Sequence, residues 1–313
     1  MKIDLLSRLR RNPWYLDFRW STREGLGHAW KRHYFQRKIL ATPPIKTAQT
    51  GRVEVRVLTW RRDCLDAIWA LKSFYFFSGL DYPLYIHDGG LAAGQGELLR
   101  KHFPRATIVS AAQADRDVTA ILTKRGLRRC LEYRQANITT RKLFDFFLLS
   151  TADYLVSIDS DIVFFRRPDL LEVPAKGIPR NRYNQDSAYW YSMTLDELES
   201  NFGVRPHPLI NSGLSVIRRS SIDFELIEKW LENSKLRANL WVTEQTLHAL
   251  CSTIYGVELL PAGYIVSTKP GLPADAICKH YTGFFRHLQY EEGIRFLVEN
   301  GFLEQLRLTR NSV

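Results

Sequence analysis

Tyr154-Leu-Val-Ser-Ile-Asp-Ser-Asp-Ile-Val-Phe-Phe-Arg-Arg-Pro168 decides how this chain reads. A mostly apolar strand, Tyr154–Ile158, runs into Asp159-Ser160-Asp161. Residues i and i+2 of an extended chain face the same way, roughly 7 Å apart. Two carboxylates so placed repel each other unless a cation or a proton sits between them. Oxygen-rich sites of this kind suit Mg²⁺ or Mn²⁺, which keep positions open for phosphate oxygens. The bland alternative is a capping or turn role. A D-x-D triplet is weak by itself, and Asp115-Arg116-Asp117 serves as a control, since it lies in polar helical sequence and reads as a solvated face. Asp159 and Asp161 differ from it by ending an apolar strand.

Outward from that strand, the pattern alternates between periods of 2 and 3.6. Val53–Thr59 reads as a strand, and Asp63 caps a helix that runs to Ser78 with Gly79 as its stop. Strands follow at Pro83–His87 and Ala106–Val109, and helices at Glu97–His102, Gln113–Arg125 and 140–149. Beyond Tyr154–Ile158, the stretch 174–209 is rich in Pro, Asn and Tyr and reads as irregular chain covering a site. Leu214–Ile217 is a strand, and helices lie near 222–235 and 242–255. Such alternation predicts an α/β fold with a mostly parallel sheet flanked by helices, whose ligands bind beyond the carboxyl ends of strands.

The net charge of +11 is concentrated at one end: residues 1–52 hold twelve bases and three acids, a net +9. This basic leader, with the linker Ala41–Gly51 at its end, precedes a nearly neutral domain at 53–313. The leader interleaves its bases with Trp14, Tyr15, Phe18, Trp20, Trp30, Tyr34 and Phe35. Aromatic rings beside Lys and Arg suit an anionic membrane surface, reached through residues 1–45. The alternative is that the rings pack on the domain. Arg8, Arg10 and Arg11 interrupt any signal-peptide apolar core, and no run of about 18 apolar residues exists. The four widely spaced Cys form no C-x-x-C pair and fit reduced thiols. These features predict a cytoplasmic protein, peripheral on the inner face of the membrane. Nothing beyond the leader resembles a nucleic-acid module.

The D-x-D strand resembles that of GT-A glycosyltransferases, the nucleotide-sugar enzymes, and further short motifs follow in the order of their glycogenin-like and lipopolysaccharide galactosyltransferase-like group. Arg141-Lys142-Leu143 opens the helix before the strand, where the group has a basic residue. Asn211-Ser212-Gly213 resembles its Asn-Ala-Gly, Glu244-Gln245 its Asp-Gln, and His280-Tyr-Thr-Gly283 its late His-x-x-Gly. The resemblance spans roughly residues 53–290. It implies a metal-dependent transfer of sugar from a nucleotide-diphosphate sugar, with UDP the expected nucleotide, to a glycan, lipid-linked or protein acceptor. It implies Asp159, Asp161 and His280 as ligands of Mn²⁺ or Mg²⁺, with Asp159 shared with the ribose. Thr59 and Arg61 fall where the fold holds base and ribose. Arg141 or Lys142 would meet the donor phosphate or sugar, and Asn211, Gly213 and Gly283 complete the donor-binding set. Ser212 for Ala, Glu244 for Asp and Phe284-Phe285-Arg286 after the last Gly depart from the pattern; Arg286 offers a cation to the diphosphate.

Other roles rest on position. Asp88 ends a strand before Gly89-Gly90 and would contact the base or ribose, or simply make the turn. Inversion needs a carboxylate base near the acceptor hydroxyl, for which Asp186 and Glu244 are candidates, with Gln245 beside the latter. The Asn-Ser-Gly and His-x-x-Gly motifs favour retention, which needs none. Two other readings compete. Asp159-Ser-Asp-Ile-Val163 matches the D-x-D-x-V of haloacid-dehalogenase-like phosphatases, in which Asp159 would be nucleophile and Asp161 acid. The second is a non-catalytic, sugar- or partner-binding module of the same fold.

Overall fold

The computed structural model describes Thr22 and residues 25–308. Helix α1 (Leu26–Arg37) leads into β1 (Val53–Thr59), α2 (Cys64–Ser78), β2 (Leu84–Asp88), α3 (Gln95–His102), β3 (Thr107–Val109), α4 (Ala111–Lys124), α5 (Arg128–Ala136) and α6 (Arg141–Leu148). Next come β4 (Tyr154–Ile158), β5 (Ile162–Phe164), β6 (Asn181–Gln185), α7 (Leu195–Phe202) and β7 (Ile210–Arg218). The chain ends through α8 (Phe224–Trp230), α9 (Ser234–Arg237), α10 (Leu240–Tyr255), β8 (Val257–Leu259), β9 (Tyr264–Val266), β10 (Cys278–His280), α11 (Arg295–Glu299) and α12 (Phe302–Leu308).

The main sheet has seven strands in the order β3-β2-β1-β4-β7-β6-β8. Pairs β1–β2, β2–β3, β1–β4 and β6–β8 are parallel, while β7 runs antiparallel to both neighbours. The expected mostly parallel α/β sheet is therefore the observed one. Successive residues of a strand point to opposite faces, and the two cores follow that alternation. Val55, Val57, Val156 and Leu214 join Trp69 and Phe74 of α2 on one side. Leu155, Tyr183 and Ile217 join Phe144 and Phe147 of α6 and Leu247 of α10 on the other. All seven residues of β1 are buried, including Glu54 and Arg56. A buried charge must be paired: Arg56 Nη2 donates to Glu54 Oε2 at 2.6 Å, and Ser150 Oγ donates to the same oxygen at 2.7 Å.

The structure corrects the reading of 174–209, which contains β6 and α7. Helix α7 opens with Thr194 and Glu197 capping each other's backbone N–H groups, the reciprocal arrangement of a capping box. Asp63 occupies the N-cap position of α2, yet its side chain makes no capping bond; its carboxylate holds Arg286 instead. Gly79 ends that helix in the left-handed region, at φ 65°, which glycine adopts without a Cβ penalty.

A second sheet of three short strands, β5-β10-β9, lies beside the first. Its antiparallel β5–β10 pairing sets His280 opposite Ile162, the neighbour of Asp161. In the main sheet Ile158 pairs with Leu214, and Asp159 N–H donates to Gly213 O at 2.8 Å. Two independent registers thus bring β4, β7 and β10 to one point.

Helix α1 is fastened to the domain. Trp69 Nε1 donates to Gln36 O at 2.9 Å, Gln36 Nε2 and Arg32 reach Asp66, and Ile39 is fully buried. Phe35 packs against the core, while Trp30 and Tyr34 stay exposed. Trp14, Tyr15, Phe18 and Trp20 lie outside the described residues. The four cysteines are buried and unpaired. No described helix is long and apolar enough to cross a membrane.

Candidate active site

Asp159 leaves the carboxyl end of β4, Asp161 follows two residues later, and His280 ends β10. Each offers a ligand atom, and these atoms lie within 4.8 Å of one another; among the described residues this is the one such cluster of three. His280 Nε2 lies 3.1 Å from Asp161 Oδ1 and 3.8 Å from Asp159 Oδ2. Asp161 Oδ1 is buried and makes no directed hydrogen bond. Such an oxygen carries a desolvation cost of roughly 1–3 kcal/mol when left unsatisfied.

Two basic side chains flank the cluster. Lys142 Nζ, at the start of α6, donates to both oxygens of Asp159 at 3.0 and 3.1 Å. Arg286 Nε donates to Asp161 Oδ2 at 2.7 Å, while its Nη1 holds both oxygens of Asp63 at 3.0 and 2.9 Å. Burial alone would raise Asp161, but Arg286 and His280 outweigh it and hold this carboxyl well below the usual range. Burial raises Asp159, and Lys142 offsets only part of that effect. On His280 burial opposes charge, while Asp161 and Asp159 hold the imidazole above its ordinary value. The residues fit a divalent cation on three grounds: a hard oxygen and imidazole donor set, an orphaned carboxylate oxygen, and a glycine at 213 whose missing Cβ is the space the ligands occupy. A Cβ there would lie 2.2 Å from His280 Cε1 and 2.9 Å from Asp159 Oδ2.

A cleft of about 870 Å³ opens over the cluster. Lys142, Asp159, Asp186, Asn211, Gly213, Glu244, Gln245, His280 and Gly283 all line it, so nine residues singled out in the sequence meet in one place. Asp161 does not line it but meets it through His280, whose Nε2 lies 3.1 Å from Asp161 Oδ1. Thr59, Arg61, Asp88 and Arg141 do not line it. Asp88 Oδ1 accepts from Gly90 N and Leu91 N at 2.7 Å each, which is the turn role. Arg141 donates to Asp88 O and to Asp115 Oδ1, both at 3.0 Å. Thr59 is buried, and the backbone of Arg61 is held by Gly90 and Gln95. The control triplet is half exposed at Asp115, which nevertheless pairs with Arg134 and Arg141 rather than only with solvent.

On the opposite wall, the two departures at 212 and 244 touch. Ser212 Oγ donates to Glu244 Oε2 at 3.1 Å, and His248 Nε2 lies 3.2 Å from Glu244 Oε1. Burial would raise Glu244, yet Lys142 and His248 hold it below the ordinary glutamate value. The added methylene of Glu244 is thus accommodated by a hydroxyl that Ala would lack. Gln245 accepts from Ser212 N at 3.2 Å and donates to Trp190 O at 3.1 Å. Exposed Trp190 and Trp241 also line the cleft. Sequence reasoning missed Asp63 as a member of this site, because its position reads as a helix cap.

No family model and no curated protein matches the chain. Solved structures do. One is the bifunctional glycosyltransferase WbbM in its apo form, with a TM-score of 0.51 and 14% identity over 82% of this chain and 52% of that one. This chain therefore spans about half the length of that protein. Others are the galactosyltransferase LgtC with donor and acceptor sugar analogues (TM-score 0.47, 12% identity, 80% and 96% of the two chains) and mouse xyloside xylosyltransferase 1 in its apo form (0.47, 13%, 76% and 98%). The fold is the GT-A fold. The phosphatase alternative needs its D-x-D after the first strand, whereas Asp159 follows β4 at the centre of the sheet.

Proposed function

We propose that this chain is a metal-dependent glycosyltransferase that takes a nucleotide-diphosphate sugar, with UDP the favoured nucleotide, and transfers the sugar with retention to a glycan, lipid-linked or protein acceptor. The observation that carries the reading is the convergence of Asp159, Asp161 and His280 beneath a cleft walled by Lys142, Asn211, Glu244 and Gln245.

Asp161, His280 and Asp159 would hold Mn²⁺ or Mg²⁺. When bound, such an ion acts as a Lewis acid toward the departing diphosphate. Lys142 stands on the cleft wall with a charge fixed by Asp159, and suits a phosphate or sugar oxygen. Arg286 brings a second cation to the edge of the metal cluster, held there by Asp63 and Asp161. Glu244, kept ionised and anchored by Ser212 and His248, is an acceptor for sugar hydroxyls and a poor proton acceptor in catalysis. Asp186 has one oxygen on Ser187 N and the other on Asn211 Nδ2, both at 2.8 Å. Both oxygens of Asp186 are thus occupied, and Glu244 is held below its ordinary value, so neither suits the base that inversion requires, and this supports retention.

The test is thermal unfolding with a panel of nucleotide diphosphates and their sugars, with and without Mn²⁺. A ligand at a hundred times its dissociation constant adds about 2.7 kcal/mol. Stabilisation by one nucleotide only with Mn²⁺, together with slow hydrolysis of its sugar conjugate, is the expected result. No shift with any nucleotide would sink the reading; binding without hydrolysis would leave a non-catalytic module.

We further infer attachment to an anionic membrane through α1. Leu26, Trp30 and Tyr34 recur at i, i+4 and i+8, are 73%, 65% and 47% exposed, and form one outward stripe. Trp30 and Tyr34 stack at 5.4 Å, and Lys38 Nζ lies 4.2 Å over the Tyr34 ring. The opposite side of the helix is held by the domain, through His28 and Lys31 on Glu291, so the stripe is presented outward. Bases near anionic lipid contribute roughly 1 kcal/mol each. The full chain is expected to co-sediment with vesicles containing phosphatidylglycerol at low salt, and a Trp30→Ser/Tyr34→Ser variant to lose most of that binding. Equal binding by the variant would remove this role from α1.

A further inference from the structure

We propose that Asp186 and Asn211 form a positioning relay that fixes the tautomer of His280, so that its Nε2 lone pair faces Asp159 and Asp161. The inference rests on the metal-site reading and assigns a role to two residues that do not themselves face the cation.

Gly213 N–H lies 3.0 Å from one amide atom of Asn211, and a backbone N–H can only donate, so that atom is the oxygen, Oδ1. The other amide atom lies 2.8 Å from Asp186 Oδ2. A carboxylate can only accept, so this atom is Nδ2. The two constraints agree, and the orientation of the amide follows from the network. Asn211 Oδ1 also lies 3.1 Å from His280 Nδ1. An amide oxygen has no proton to give, so Nδ1 carries the hydrogen. In the neutral ring the lone pair is then on Nε2, the atom 3.1 Å from Asp161 Oδ1 and 3.8 Å from Asp159 Oδ2. Asp186 is itself held by Ser187 N–H on Oδ1 at 2.8 Å. All three side chains are at least nine-tenths buried. Metal-binding histidines are commonly oriented through their second nitrogen, and loss of such a partner typically weakens metal binding about 10–100-fold.

The chain Ser187 N–H, Asp186, Asn211, His280 has a polarity, and isosteric substitutions can break it and restore it. In Asp186→Asn the side chain keeps its oxygen for Ser187 N–H and turns an amino group toward Asn211. The Asn211 amide then faces donor against donor, and any turn that relieves the clash costs a backbone N–H its acceptor, Ser187 if the amide at 186 turns and Gly213 if Asn211 does; the second turn presents an amino group to His280 Nδ1. That orientation favours the proton on Nε2 and removes a ligand. In Asp186→Asn/Asn211→Asp the new carboxylate at 211 accepts from Asn at 186, from Gly213 N–H and from His280 Nδ1–H, and the original polarity returns. Asn211→Leu removes the acceptor outright.

The test measures Mn²⁺ binding to the full chain, with no nucleotide, by the paramagnetic resonance of the free ion. Circular dichroism and metal-free melting check that each variant is folded. Expected are a loss of about 10-fold or more in Mn²⁺ affinity for Asp186→Asn and for Asn211→Leu, and recovery to within about 3-fold of wild type in the double exchange. A purely structural role for Asp186 predicts no recovery. Wild-type affinity in Asp186→Asn, or a double exchange as weak as the single variant, overturns the relay while leaving the metal site intact. A wild-type chain that binds no Mn²⁺ overturns the metal reading, and the relay with it.

Discussion

Asp161→Asn abolishes the Mn²⁺-dependent stabilisation by nucleotide and, with it, sugar transfer. In Asp161, Oδ2 is bound by Arg286 at 2.7 Å, while Oδ1 is left without a directed hydrogen bond and faces His280 Nε2 at 3.1 Å. The amide has the same shape but no charge, and it presents a donor on one side. Pointed at Arg286, its amino group opposes the guanidinium; pointed the other way, it occupies the His280 Nε2 lone pair that the cation needs. At a ligand concentration giving the wild type about 2.7 kcal/mol, the variant's shift should be zero with Mn²⁺ present. The metal-free variant also melts lower. Removing one partner of a buried ion pair outright costs about 3–5 kcal/mol, and here Asp63 still holds Arg286, so the loss is smaller. Calorimetry with and without Mn²⁺ separates the two effects. Full Mn²⁺-dependent stabilisation in a folded Asp161→Asn protein would rule out this carboxylate as a ligand. Asp159→Asn is the milder companion, because Lys142 Nζ can still donate to the remaining amide oxygen.

The contrast between these two aspartates bears on what the sequence could tell. Their position was legible because an apolar strand of five residues ends on them, and burial of β4 on both faces follows from that composition. The sheet itself was legible for the same reason: β1, β2 and β4 have enough residues to show period or hydrophobicity. The second sheet was not. Strands β5, β9 and β10 have three residues each, too few for a period to register, and unlike the equally short β3 they are not set off by a helix on either side. Yet β10 delivers His280, so the third ligand could be found only through the motif His280-Tyr-Thr-Gly283. Helix α5 was also unread; its first turn is capped from outside by Glu228, which accepts from Arg129 N and Cys130 N at 2.9 Å each. A cap supplied from so far along the chain leaves no local signature. In 174–209, by contrast, Thr194-Leu-Asp-Glu197 carried a local capping-box signal for α7.

Polar side chains near the site were legible as to type but not as to partner. Asp63 had the right identity for a helix cap, and only the packing of residues far along the chain reassigns it to Arg286. Asp88 had the right identity for either turn or ligand, and Gly90 N and Leu91 N decide for the turn. Ser212 and Glu244 each departed from the resembled pattern, and only their 3.1 Å contact reveals that one departure accommodates the other. In each case a carboxylate at the carboxyl ends of the strands had several chemically equivalent partners, and tertiary register made the choice.

Gly213→Ala should disable the same cluster without altering any ligand, and it tests the packing on which the metal reading depends. Gly213 lies where the register of β7 against β6 shifts, but its φ is not positive, so its backbone does not require glycine; its surroundings do. An added Cβ would lie 2.2 Å from His280 Cε1, 2.8 Å from His280 Nδ1 and 2.9 Å from Asp159 Oδ2. Separations under about 3 Å are not tolerated between such atoms, so the ring and the carboxylate must move. The ring has little freedom to do so while Nδ1 is held by Asn211, and moving it breaks that hydrogen bond. Overpacking of this kind costs typically about 1–3 kcal/mol of stability. The larger effect falls on the cation, since two of its three ligands are displaced together; a loss of about 100-fold or more in Mn²⁺ affinity is expected, beyond the upper end for a single supporting contact. Gly27→Ala in α1 is the control, because a Cβ there meets nothing within 4 Å and alanine favours a helix by roughly 1 kcal/mol over glycine. Mn²⁺ titration of both variants beside wild type decides the matter. If Gly213→Ala binds Mn²⁺ as tightly as wild type, then His280 and Asp159 do not ligate from the positions in which they press on this glycine, and the cluster beneath the cleft is held together by its ion pairs alone.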